Sequence, residues 1–250
     1  MVELEHARAT LNDMGLTVSS NLLDAQIERS TNAHHTYVQF LNELLVSEKQ
    51  ERDRRNLEFR IRRAHLPYVR RIEEYDFAFQ PSIDKRLVDE LSTTAFAQRA
   101  ENVVLLGPPG VGKTHLAIAL GILAIEHSFS TYFINCHQLI QNLLKASHEN
   151  RLDEKLKIYA RYKVLIIDEI GYLPTNLEGA NLFFQLIAKR YEKHSTIFTT
   201  NKNFGEWADV FRDNMISAAI LDRILHHSTT IKIVGDSYRL KEYKTENNDD

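Results

Sequence analysis

The segment Gly107-Pro108-Pro109-Gly110-Val111-Gly112-Lys113-Thr114 fits the pattern G-x-x-x-x-G-K-S/T. It lies between the apolar run Val103 to Leu106 and a helix-like stretch carrying Leu116, Ala117, Leu120 and Leu123. A strand, a glycine-rich turn and a helix in that order form a phosphate cradle. The residue types follow from the ligand. A triphosphate needs several backbone N–H groups aimed at it, and side chains at the tight positions would block that approach, so glycines line the wrap. Lys113 would reach the β and γ phosphates of ATP and Thr114 would place its hydroxyl on Mg²⁺. The helix that starts near Lys113 would aim its positive dipole end at the anion. The competing reading is an ordinary Gly/Pro turn between strand and helix.

The surrounding sequence supports the cradle. After Ser82 the signals alternate: a helix through Leu87 and Leu91, strand Val103 to Leu106, the cradle and its helix, then strand Thr131 to Asn135. Helices Gln138 to Ala146 and Leu152 to Ala160 follow, then a buried strand Val164 to Ile167. A helix from about Glu178 to Lys193, strand Thr196 to Thr200, a helix ending near Leu225 and strand Ile231 to Val234 complete the series. This pattern predicts an α/β fold whose parallel sheet is covered on both faces, with ligands at the strand C-terminal ends. From Met1 to about Tyr75 the period is helical, with Val38, Leu41, Leu44 and Leu45 spaced at three and four. Asp24 or Ser30-Thr31 could start helices and Pro67 could end or begin one, so two to four short helices are expected. The reading sets residues 1–76 as a small all-α domain for oligomerisation or DNA contact and 77–82 as a connector. Residues 83–243 are then the cradle-bearing domain and 244–250 a polar tail.

Val164-Leu165-Ile166-Ile167-Asp168-Glu169 puts two carboxylates at the end of a continuous apolar run, where a buried parallel strand delivers side chains toward bound phosphate. Asp168 would orient Mg²⁺, and Glu169 would polarise the water that attacks the γ-phosphate. The plainer alternative is a pair of acids capping a strand or helix terminus.

Composition sets outer limits. The 250 residues suffice for one medium α/β domain and a small helical one, and the formal net charge of −3 argues against a chain that coats nucleic acid indiscriminately. The apolar stretches are short and no basic-then-apolar leader opens the chain, so a cytoplasmic protein without a membrane segment is expected. Cys136 is the lone cysteine and reads as a small core residue at a strand end. Charge is uneven: Arg52, Arg54, Arg55, Arg60, Arg62, Arg63, Arg70 and Arg71 form a basic band with only Asp53 and Glu58 as acids inside it, before Glu73 and Glu74. Such a helix face could meet a phosphate backbone in a salt-sensitive way, or be a solvated face or subunit contact. Phe59 and Tyr68 read as core or interface, and nothing supports base-specific reading. The pairs His34-His35 and His226-His227 invite a metal reading, but adjacent helical residues diverge and no matching ligand cluster is visible, so no metal is expected there. Trp207 and Phe211, one turn apart, should pack together. His127-Ser128 stands at a helix end where a left-handed glycine would be usual.

With Thr199-Thr200-Asn201 at a strand end and Arg223 in Leu221-Asp222-Arg223-Ile224-Leu225-His226-His227-Ser228, the chain resembles the AAA+ ATPases. That resemblance implies that Asn201 holds the lytic water, unless it is a turn residue. It implies that Arg223 completes a neighbouring subunit's site, unless it is an exposed helix charge or part of an intrachain salt bridge. Gly112-Lys113-Thr114-His115-Leu116-Ala117, Ile167-Asp168-Glu169-Ile170-Gly171-Tyr172, Arg190-Tyr191-Glu192, Asp222-Arg223-Ile224-Leu225-His226-His227 and Gly235-Asp236-Ser237-Tyr238-Arg239-Leu240-Lys241 narrow it. Together with Tyr37 to Leu45 and Ala64-His65-Leu66-Pro67, they resemble the IstB family. Its members are ATP-binding helpers encoded beside the transposase in one group of bacterial insertion sequences, related to DnaC-type helicase loaders. The resemblance implies a homo-oligomer that assembles on double-stranded DNA with ATP and helps an IstA-like transposase use target DNA. A replicative helicase loader is the alternative, and a small-molecule kinase a more distant one. The usual C-terminal helical lid has no room after the last strand. Arg239 would either replace the lid's nucleotide-binding arginine or anchor the tail. Tyr172 and Leu173 would contact DNA in an assembled ring or be buried.

Overall fold

The computed structural model describes residues 2–173 and 175–238. Two units are distinct, one ending at Phe59 and the other beginning at Arg60. The first unit carries α1 (Val2–Asp13), α2 (Thr17–Asn32) and most of α3 (Tyr37–Arg63). Helix starts expected at Asp24 or Ser30-Thr31 are not found, because α2 runs through all three positions. Nor are all the helices short: α3 spans 27 residues, since no Gly or Pro interrupts the chain between His35 and Pro67. A left-handed His65 (φ 55°) follows its end. The core of this unit is mixed. Leu23 and Leu44 are buried beside Ser19, whose N–H donates to Glu48 Oε2 at 2.9 Å, while Val38, Leu41 and Leu45 stay exposed.

The second unit adds α4 (Lys85–Ser92), α5 (Ala95–Arg99), α6 (Lys113–Glu126), α7 (Cys136–His148), α8 (Leu152–Ala160), α9 (Leu177–Arg190), α10 (Trp207–Phe211) and α11 (Asn214–Leu225). Its strands are β1 (Asn102–Leu106), β2 (Thr131–Asn135), β3 (Val164–Ile170), β4 (Ser195–Thr200) and β5 (Ser228–Lys232). All pairs are parallel, in the order β2-β3-β4-β1-β5. Alternate side chains of each strand enter opposite layers, as the pleat requires. Val104, Leu165, Ile167 and Phe198 pack with Leu139, Leu143, Phe183, Leu186 and Ile220 on one side. Val103, Leu105, Ile166 and Ile197 pack with Val88, Leu91, Leu116 and Leu120 on the other. Each such buried side chain contributes about 1.5–3 kcal/mol. The two-sided burial explains the unbroken apolar runs of β1 and β3.

Particular expectations fare differently. Cys136 is buried, Trp207 and Phe211 pack at 5.8 Å between ring centroids, and Ser128 takes the left-handed position (φ 68°). The last strand begins at Ser228 rather than Ile231. Its polar start Ser228-Thr229-Thr230 pairs with Asn102-Val103-Val104 at an open sheet edge, where β-branched threonines suit a half-exposed face. Residues 64–76 lie against the α/β core: Phe133 N–H donates to Ala64 O at 2.8 Å, Arg71 pairs with Glu126 at 2.5 Å, and Tyr75 is buried. Among the described residues, no helix is long and apolar enough to cross a membrane.

Candidate active site

The phosphate loop leaves β1 at Leu106, and α6 starts at Lys113. Gly110 and Gly112 have φ of 82° and 93°, a region that disfavours any side chain. A Cβ on Gly112 would also stand 2.7 Å from the Tyr75 hydroxyl, and one on Gly110 would stand 2.0 Å from Ser237 Oγ. The loop is therefore clasped from both sides. The Tyr75 hydroxyl donates to Val111 O at 3.1 Å, and Tyr238 N–H donates to Gly110 O at 3.0 Å. Lys113 Nζ folds onto the loop, donating to Gly107 O at 2.7 Å and Pro108 O at 2.6 Å.

The acids arrive by strand register. Asn135 of β2 stands opposite Asp168 of β3. Between Ile167 and Ile170 the β3–β4 register slips by one residue, and within this bulge Glu169 has φ of 61°. The bulge separates the two carboxylates: Asp168 is buried and Glu169 is exposed. Thr199 serves both, donating to Asp168 Oδ1 at 2.5 Å while accepting the Glu169 N–H at 2.9 Å. Thr114 Oγ1 donates to the same Asp168 oxygen at 2.9 Å, so the end of the loop and the end of β3 meet directly. Burial pushes the Asp168 carboxyl above its ordinary range, against the pull of the Thr199 and Thr114 hydrogen bonds. A hydroxyl and a carboxylate side by side are hard oxygen donors of the kind Mg²⁺ takes, so these residues fit the ion.

Glu169 is held by a group that the sequence reading missed. Asn135 Nδ2 donates to Glu169 Oε2 at 2.6 Å, while Asn135 Oδ1 caps α7 by accepting the His137 N–H at 2.9 Å. Only the β2–β3 register brings this pair together. A cavity of about 410 Å³ joins Lys113, Thr114, Glu169, Thr199 and Asn201, with Tyr68, Asp76 and Tyr238 along its wall. Sequence gives no sign that Tyr68 and Asp76 line this cavity, because the 64–76 segment carries no phosphate-binding pattern. Tyr68 is partly exposed rather than core, as is Phe59. Tyr172 and Leu173 are exposed too, which removes the expectation of burial.

Arg223 lies outside this cavity. It sits half-buried near the end of α11, its guanidinium 4.8 Å from the Phe184 ring centroid and donating to Ala219 O. The next residue's carbonyl accepts from Asn102 Nδ2 at 3.0 Å. Arg223 therefore stands at the start of β1, and the loop follows the end of that strand. Arg239 lies outside the described residues.

A five-stranded parallel sheet in this order, with a phosphate loop after β1 and paired acids on β3, is an α/β fold of the AAA+ type. Solved structures share this fold. The DnaI crystal structure superposes with a TM-score of 0.56 at 20% identity, covering 66% of this chain and 91% of that one. AMPPCP-bound DnaA from Aquifex aeolicus gives 0.56 at 18%, covering 74% and 56%. The DnaC helicase loader gives 0.52 at 22%, covering 70% and 99%. The chain belongs to the IstB-like ATP-binding protein family, whose profile matches residues 9–246. It is 50% identical over 220 residues to an insertion sequence IS21 protein of Pseudomonas aeruginosa, covering 88% of this chain and 83% of that protein. It is 48% identical over 223 residues to an insertion sequence IS232 protein of Bacillus thuringiensis subsp. berliner, covering 89% of each.

Proposed function

We propose that this protein hydrolyses ATP at a site shared between copies of itself assembled on double-stranded DNA, and that the assembly helps a transposase select or use target DNA. The observation that carries the shared site is the position of Arg223. β1 runs five residues from Asn102 to Leu106, which at about 3.3 Å per residue places Arg223 roughly 15 Å from its own loop. An arginine there serves a neighbour's γ-phosphate rather than its own.

Placement supports a role for each of the remaining residues. Lys113 turns from the loop carbonyls to the β and γ phosphates, and the loop N–H groups of 107–114 hold the rest of the anion. Thr114 and Asp168 would hold Mg²⁺, which would supply positive charge against the phosphates. Glu169, once released by Asn135, accepts the proton of the attacking water, and Asn201 orients that water from the end of β4. The γ-phosphate becomes inorganic phosphate and ADP leaves. The tie to transposition rests on family membership and on relatives from insertion sequences at 50% and 48% identity. The helicase-loader likeness is one of fold.

Mixing tests the shared site. Arg223→Ala and Glu169→Gln chains should each lose ATP hydrolysis, and mixtures should regain part of it, because an interface between an intact Glu169 and an intact Arg223 forms only in the mixture. Absence of rescue at every ratio, with both variants still assembling on DNA, would rule out an arginine acting between subunits.

A further inference from the structure

Away from the phosphate loop, two chain turns bring together three side chains that ligate metals. α11 ends at Leu225, and His226 and His227 follow at its cap with ring centroids 4.0 Å apart. The sequence expectation that adjacent histidines diverge is not met: His226 is the cap of α11 and the two rings lie side by side. On the facing element, α9 ends at Arg190 and the chain reverses through Glu192, whose backbone is left-handed (φ 57°). Lys193 and His194 N–H groups both donate to Arg190 O, at 3.0 and 3.1 Å, which fixes the turn. Arg190 itself is buried and donates to Tyr159 O, Ala160 O, Tyr162 O, Ser195 O and Thr196 Oγ1, so Glu192 projects from an anchored base.

The resulting geometry is specific. Glu192 Oε1 stands 3.5 Å from His227 Nε2 and 3.9 Å from His226 Nδ1. One ligand atom from each residue lies within 4.8 Å of the other two. Donors bound to a tetrahedral zinc ion at roughly 2.0–2.1 Å stand about 3.4 Å from one another, so shifts of about 1 Å close this triad on an ion.

We propose that Glu192, His226 and His227 bind one transition-metal ion of the zinc class. Two imidazole nitrogens and one carboxylate oxygen are borderline donors that suit Zn²⁺ or Co²⁺, whereas Mg²⁺ prefers an all-oxygen shell. The Tyr191 hydroxyl, 2.6 Å from His226 Nδ1, and water are the donors within reach of the fourth position. All three ligands are exposed, which gives an ion a path of entry and spares the site a desolvation cost. Arg223 lies on the last turn of α11, three residues before the His226 cap, so a bound ion ties the end of α11 that carries this arginine to the turn between α9 and β4. Ion binding needs neither nucleotide nor DNA, and its failure would leave the ATPase reading untouched.

The test uses the full chain, free of nucleotide and magnesium, titrated with Co²⁺ and separately with Zn²⁺. The expected result is the intense visible absorption of four-coordinate Co²⁺, displaced by Zn²⁺ at one ion per chain. The pair His226→Ala with His227→Ala, and Glu192→Gln alone, should each weaken Zn²⁺ binding by about tenfold or more. His34→Ala with His35→Ala should leave it unchanged. Circular dichroism of each variant checks that it is folded, and Glu192→Gln keeps the side chain's shape where the double variant does not. Lack of the Co²⁺ band, or unchanged affinity in folded Glu192 and His226/His227 variants, would overturn the site.

Discussion

Glu169 carries the chemistry proposed for the site, yet its carboxylate is hydrogen bonded to Asn135 at 2.6 Å. An amide that donates to a carboxylate competes with the water that carboxylate is proposed to activate, so the proposed hydrolysis requires this bond to be released first. Asn135→Ser keeps an α7 cap, because a serine hydroxyl also accepts the His137 N–H, but it falls short of Glu169. The variant should melt within a few degrees of the parent while its DNA-independent ATPase rate rises several-fold. An unchanged basal rate would mean that the bond restrains nothing. Asp168 shows the opposite economy. Burial raises its folded pKa above the unfolded value, so the folded chain holds a proton that the unfolded chain has lost, and stability declines as pH rises through that window. Asp168→Asn removes the buried charge while keeping an oxygen for Thr114 and Thr199. Without nucleotide it should melt a few degrees higher than the parent at neutral pH, with the difference vanishing on acidification, yet fail to bind ATP with Mg²⁺. Paired melting curves and a nucleotide-binding titration check both halves.

At the scale of elements, the ends of β1, β3 and β4 were readable from sequence because each signal is local. A glycine turn after an apolar run, two acids after another and Thr199-Thr200-Asn201 after a third each occupy a handful of neighbouring residues. What escaped depends on register and on where helices stop. Asn135 meets Glu169 only through the β2–β3 pairing, Glu192 meets His226 and His227 only because α9 and α11 end on the same side, and Tyr75 reaches Gly112 only through the fold of 64–76. Arg190 belongs to the same class: in sequence it is one more helix cation, and in the fold it joins α8, α9 and β4 with no carboxylate among its hydrogen-bond acceptors in the described residues. Removing it strands those acceptors in a buried site. Arg190→Ala should cost about 3–5 kcal/mol, which lowers the melting temperature by about 2–4 °C per kcal/mol in a chain of this size. Arg190→Lys should recover less than half, because an ammonium cannot span the acceptors that a planar fork reaches. Full recovery in denaturant melts would show that charge alone, rather than the fork, holds these elements.

For the whole molecule, the proposed DNA binding has to be reconciled with a net charge of −3. The basic band is less free than its sequence suggests, because acids inside and outside it pair with its arginines. Arg54 and Arg55 both bond Glu51, at 2.7 and 2.8 Å, and these hydrogen bonds hold the Glu51 carboxyl down at about 2. Arg54 also pairs with Glu58, Arg70 with Glu74 and Arg71 with Glu126. Arg52 and Arg62 are exposed and form no ion pair among the described residues. An arginine already neutralised by a carboxylate releases few counterions when it meets a phosphate, whereas an unpaired one releases nearly a full equivalent. Substituting Arg52 and Arg62 with alanine should therefore weaken double-stranded DNA binding and reduce the slope of log affinity against log salt by up to ~1.8. Substituting Arg54 and Arg55 should change it far less, since Glu51 loses its partners at the same step. The measurement is binding of a long duplex at several salt concentrations with ATP present. The reverse ranking would show that Glu51 gives up its arginines to DNA, and equal slopes for both pairs and the parent would place the phosphate contacts off this band.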